Sequence, residues 1–143
     1  DMLMSHVIAP SWPVNQITCV YDFPASQAAL ACLDKDNSSV AKRFEVYWGD
    51  VELANGYQEL TDPHEQKKRL LDDNTKRKLA GLPSCEIDQY LLDALIHGLP
   101  ECSGVALGLD RLLMLHLNKK SIADVLAFPK DFAQLKGSKL GGT

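Results

Sequence analysis

Two glutamates, Glu45 and Glu52, flank a Gly49-Asp50 dipeptide, and an arginine, Arg111, follows Gly108 at the start of an apolar helical run. Paired carboxylates on one face repel each other unless a proton or a cation lies between them. A hard divalent cation such as Mg²⁺ takes one or two carboxylates together with nucleotide phosphates. An arginine in the first turn of a helix can offer its guanidinium to a phosphate. The small residues Gly104, Ala106 and Gly108 before it let a flat ligand approach the strand backbone. Taken alone, the glutamates read first as exposed surface charge, and Arg111 has the alternative of pairing with Asp110 or a core carboxylate. Taken together they point to a nucleotide site with a divalent cation. A third cluster, Asn55-Gly56-Tyr57-Gln58-Glu59, brings an amide, an aromatic ring and a carboxylate close in sequence. It suits a ligand that carries a cation on an apolar stem, the alternative being a polar strand end.

These groups need elements to hold them. Phe44–Trp48 and Val51–Ala54 read as a hairpin closed by Gly49-Asp50 in a II′-type turn. That register sets Trp48 opposite Val51, Tyr47 opposite Glu52, Val46 opposite Leu53 and Glu45 opposite Ala54, with the two glutamates as diagonal neighbours on one face. Strict alternation then turns Asn55, Tyr57 and Glu59 to the other face. A bulge at Asn55-Gly56 would flip the parity and bring the clusters together. Phe44, Tyr47 and Trp48 read as core. Ile17–Phe23 and Ser103–Leu109 read as further strands, Asp110–Leu117 as a helix, and Val125–Phe128 as a last strand after a capped turn at Ser121–Asp124.

A helix over Pro63–Ala80 has Asp62 as N-cap, Pro63 at the first position and Glu65 completing a capping box, with Leu70, Leu71 and Leu79 as anchors. A second, Gln89–His97, starts at Asp88 and stops at Gly98, packing Tyr90, Leu91, Leu92, Leu95 and Ile96 inward. Residues 1–9 read as a helix ended by Pro10, and 24–39 as an irregular connection. Residues 1–129 form one α+β domain, an antiparallel sheet flanked by helices, and 130–143 a polar, flexible tail.

Composition removes other classes. A net charge of −4 over 143 residues disfavours broad nucleic-acid binding. The four cysteines are widely spaced, which argues against a thiolate metal site or a disulfide framework and for buried or half-buried thiols in a reducing compartment. The histidines lack metal-ligand spacing, and no phosphate loop, dinucleotide fingerprint or nucleophile elbow is present. Neither a signal peptide nor an apolar run of spanning length is found, so a cytoplasmic, non-membrane protein is expected.

Arg43-Phe44-Glu45-Val46-Tyr47, Glu52 to Leu60 and Gly104 to Arg111 resemble the C-terminal half of a class II lysyl-tRNA synthetase catalytic domain, the last block resembling motif 3 of that class. Val20 to Ala28 and Cys102 to Gly108 are more similar to the paralogous branch that attaches (R)-β-lysine to elongation factor P. The resemblance covers about residues 15–129 and implies activation of a lysine-type amino acid with ATP and Mg²⁺. It implies Glu45 and Glu52 as metal ligands, and Glu52, Leu53, Gly108 and Arg111 as ATP contacts, Arg111 being the catalytic cation. It implies Asn55, Tyr57, Glu59 and Ala106 at the amino acid, with Glu59 facing its ammonium groups. The acceptor would be elongation factor P, or tRNA-Lys in the ordinary branch, and the intact parent a homodimer. Ala106 stands where ordinary lysyl-tRNA synthetases have Gly. Motifs 1 and 2 of the class are absent from these residues, so a piece inactive by itself is expected. A binding module that keeps the pocket without catalysis is the third reading.

Overall fold

The computed structural model describes residues 2–129. Four strands, β1 (Ile17–Pro24), β2 (Val40–Trp48), β3 (Val51–Gln58) and β4 (Ser103–Leu107), form one antiparallel sheet in that order. Among the described residues three α-helices accompany it: α1 (Pro63–Leu79), α2 (Gln89–His97) and α3 (Leu109–His116). The expected α+β class and the order of the elements from β1 to α3 stand. α1 and α2 pack on each other, while α3 lies against β3.

The hairpin closes at Gly49, whose φ of +56° is the left-handed geometry that a II′ turn demands at its first central position. Trp48 pairs with Val51 and Tyr47 with Glu52 as expected, but the next pair is Val46 with Ala54. Leu53 is the extra residue of a bulge. Glu45 therefore faces Asn55, not Ala54, and Arg43 faces Tyr57. The parity flip that Asn55-Gly56 would permit is found closer to the turn, at Leu53. Gly56 instead makes room for a neighbouring strand. The Phe44 ring crosses it, and a methyl there would collide with that ring and lie 2.8 Å from the Gly104 carbonyl.

Asp62 caps α1 by accepting from the backbone N–H groups of His64 and Glu65. The reciprocal half of the capping box is not made. Glu65 instead receives Arg69 Nε one turn on, at 2.9 Å, a charged pair that outcompetes a neutral backbone donor. The leucine anchors give way too, since Leu71 and Leu79 are exposed and Gln66 is the buried residue of the helix. Arg69 fastens α1 to the connection before β2 by donating to the carbonyls of Ala29 and Ala31. In α2 only Leu92 and Leu95 are buried, because a short helix against a single partner covers one narrow stripe; Tyr90 and Ile96 face outward.

Val125–Phe128 is not a strand: it leaves the Ser121-capped turn as irregular chain, and Phe128 is exposed. Four apolar residues do not distinguish a strand from an apolar turn. The N-terminal helical turns run through Pro10 to Ser11, because proline is accommodated in the first turn of a new helical segment. Cys19 and Cys85 are exposed rather than sheltered, Cys32 and Cys102 half-buried, and all four are free thiols. The expected tail at 130–143 lies outside the described residues.

Candidate active site

The Leu53 bulge decides the site. Glu45, Arg43 and Tyr47 share one face of β2 by alternation, and the shifted register places Asn55 and Tyr57 on the same face of β3. Ala106 pairs with Asn55 and Gly104 with Tyr57, which extends two rows across three strands: Glu45–Asn55–Ala106 and Arg43–Tyr57–Gly104. Glu59 lies just beyond β3, held by its N–H to the Cys102 carbonyl at 2.9 Å. Its carboxylate folds over Gly104, where a methyl would sit 2.5 Å from Glu59 Oε1. Gly104 is thus the space that the carboxylate occupies.

At the bulge, two successive carbonyls are taken by the segment after β4. Gly108 N–H donates to the Leu53 carbonyl at 2.8 Å, and Arg111 Nη1 donates to the Glu52 carbonyl at 2.7 Å. The same guanidinium stands 3.7 Å from the Glu52 carboxylate. Glu52, Leu53, Gly108 and Arg111 therefore form one corner. Asp110 is exposed and makes no ion pair with Arg111 among the described residues.

Glu45 is buried, with Arg43 on one carboxylate oxygen and the Tyr47 hydroxyl on the other. Burial first, and the hydrogen bond to Glu45 second, push the Tyr47 phenol well above its ordinary value. It stays protonated and donating. The Trp12 ring meets it edge-on at 5.0 Å. Tyr47 is buried, as expected of a core residue, and its hydroxyl also reaches the site face through Glu45. Arg43 joins the same face, and its place two residues before Glu45 in a strand is the sequence signal for it. Met4, Ser5, Phe23, Arg43, Glu45, Tyr47, Glu52 and Asn55 line a cleft of about 290 Å³.

The charges on this face do not cancel. Arg43 compensates Glu45 and Arg111 stands beside Glu52, but among the described residues no ion pair or hydrogen bond reaches the Glu59 carboxylate. Three carboxylates against two guanidiniums leave one anionic place, at the end of the wall nearest Gly104.

Against this geometry, residues 11–132 match the family model of class II tRNA synthetases (D, K and N). The chain belongs to that family. It is 53% identical over 133 residues to a protein of Salmonella gallinarum named elongation factor P--(R)-beta-lysine ligase, a match covering 93% of this chain and 41% of that protein. Proteins of the same name from Salmonella dublin and Salmonella heidelberg match with the same identity and coverage. The chain therefore spans about two fifths of the length of the curated relatives it matches.

Proposed function

We propose that this chain supplies one wall of the active site of an ATP-dependent ligase that activates (R)-β-lysine as its adenylate and passes it to elongation factor P. The observation that carries this is the unpaired Glu59 carboxylate, set over Gly104 on the same face as Asn55, Tyr57 and Ala106, in a chain similar over most of its length to ligases of that name. An ammonium group is the ligand that an unsatisfied carboxylate selects. Asn55 and Tyr57 border the amino acid between its ammonium and its carboxylate, and the Ala106 methyl, opposite Asn55, shapes the pocket for the β-isomer.

Glu52, Leu53 and Gly108 would hold ATP at the other corner, where the remaining Arg111 donors would meet its phosphates. The donor set fits Mg²⁺. Glu52 is partly exposed with only Arg111 paired to its carboxylate among the described residues, and on the same face each Glu45 oxygen has a second lone pair beyond the hydrogen bond it accepts. Bound there, the ion would supply neutralisation of phosphate charge. The chain's own residues do the rest: Glu59 fixes the amino-acid end, and Arg111 draws the phosphates toward it. The substrate carboxylate oxygen would then attack the α-phosphorus in line as the bond to pyrophosphate breaks, and AMP would leave when the acyl group passes to the acceptor. Such a reaction needs positioning and charge compensation and no side-chain nucleophile.

The resemblance implies that motifs 1 and 2 lie outside these residues, so the 143-residue chain alone is proposed to be inactive; the intact parent is proposed, by the same resemblance, to be a homodimer in the cytoplasm. No helix of the described residues is long and apolar enough to cross a membrane. The test is ATP–pyrophosphate exchange by the intact parent with (R)-β-lysine and with L-lysine, followed by transfer to elongation factor P or to tRNA-Lys. Preference for (R)-β-lysine with transfer to the protein supports the proposal. Transfer to tRNA-Lys moves the chain to the ordinary synthetase branch, and exchange with neither amino acid refutes lysine activation.

A further inference from the structure

Arg43 touches more of the site than any residue assigned to it from sequence. It is largely buried, and its guanidinium pairs with Glu45, donates to the Gln27 carbonyl at 2.9 Å and points Nε at Asn55 Oδ1 at 3.4 Å. Its flat face covers the Phe23 ring at 4.6 Å and stands 6.0 Å from the Tyr57 ring. A group pinned on so many sides has little freedom to turn.

The chemistry of Arg43 then propagates. A guanidinium carries donors only. The Asn55 atom that faces it must be the carbonyl oxygen, since an NH₂ group there would set donor against donor. The Asn55 NH₂ is therefore turned to the Tyr57 hydroxyl, 3.1 Å away. Because that oxygen accepts from Asn55, its one proton is left to donate elsewhere. Without Arg43, an Asn side chain has no reason to prefer this orientation over its flipped form.

We propose that Arg43 is a positioning residue for amino-acid recognition: it fixes the Asn55 amide, and through it commits the Tyr57 hydroxyl to act as a donor toward the bound amino acid. This rests on the reading of the cleft as an amino-acid site. It adds a residue that acts on the substrate through another. Arg43→Lys tests it best, because lysine keeps the charge for Glu45 but loses the planar fork and its fixed donor toward Asn55.

The experiment is a double-mutant cycle in the intact parent, with Arg43→Lys, Asn55→Ala and the pair, read as KM for the amino acid and KM for ATP in pyrophosphate exchange. Arg43→Lys is expected to raise the amino-acid KM about tenfold, the loss of one oriented hydrogen bond, while ATP KM stays within about twofold. In the Asn55→Ala background the same change should have no further effect on amino-acid KM. Equal fold-changes with and without Asn55, or a matching rise in ATP KM, overturn the proposal. Thermal melting of the four ligand-free proteins is the second readout. If the unaltered parent shows no exchange, lysine activation fails, and the Arg43–Asn55 link is decided by whether the melting shifts are coupled or additive. Additive shifts then refute it.

Discussion

Substitution of Gly104 by alanine separates recognition from stability more cleanly than any change at a charged residue. The added methyl would lie 2.5 Å from Glu59 Oε1 and 3.6 Å from its carboxyl carbon, and nothing else comes within 4 Å. An ordinary carbon–oxygen contact is more than half an ångström longer, at about 3.3 Å or more. Since the clash is with the free end of a flexible side chain, the carboxylate moves and the backbone stays. Gly104 is not among the glycines with positive φ, so alanine suits its conformation. Removing a glycine from a strand interior should stabilise the fold by about 0.5 kcal/mol. Recognition should suffer, because a charge-assisted hydrogen bond displaced by this much loses most of its worth, about 1.5–3 kcal/mol, or roughly 10- to 100-fold in amino-acid KM.

The assay is pyrophosphate exchange by the intact parent beside thermal melting of the same preparations. The expected Gly104→Ala protein melts at or slightly above the parent temperature and shows the KM increase for the amino acid, with ATP KM unchanged. Glu59→Ala should show the same increase, and the double variant no more than either alone. An unchanged amino-acid KM would refute the placement of Glu59 at the ammonium. A fall in melting temperature would refute the argument that only the side chain yields.

Gly56→Ala is the contrasting case. Its methyl would meet the Phe44 ring and the Gly104 carbonyl, neither of which can step aside, so overpacking should cost about 2 kcal/mol, measured by denaturant unfolding. Asp62→Ala should lower the melting temperature at neutral pH by removing the cap of α1. The backbone N–H groups of Glu65 and then His64 hold the Asp62 carboxyl below its ordinary value. The stabilisation is therefore present above the unfolded carboxylate value of about 3.9 and lost as pH falls through the folded one. Melting curves of the two proteins should converge in acid, and a gap that persists there would show that the cap does not act through the carboxylate.

What the sequence made legible follows from the range of the interactions involved. Glu45 and Glu52 fall on one face because a two-residue turn sets the nearest pairs, and Gly49 at positive φ is a local requirement. The caps of α1 and α2 are likewise written within three residues of Asp62 and Asp88. The bulge at Leu53 was not legible, since what accompanies it is distant. The Leu53 and Glu52 carbonyls accept from Gly108 and Arg111, more than fifty residues away. Glycine offered a misleading local marker, for Gly56 is explained by a ring on the neighbouring strand rather than by a bulge.

The role of Arg43 is hidden in the sequence for the same reason. Its strand position is plain, but its importance comes from Gln27, Phe23, Asn55 and Tyr57 converging on it from separate segments. These facts join into one dependence. Arg111, proposed to meet the phosphates, also holds the strand at the bulge, and the bulge sets the parity that puts Asn55 and Tyr57 beside Arg43. The proposed nucleotide corner and amino-acid corner are therefore not independent patches on a sheet. They are two consequences of one irregularity at Leu53. A change that straightened β3 there would turn Asn55 and Tyr57 away from Glu45 while leaving every side chain of the site intact.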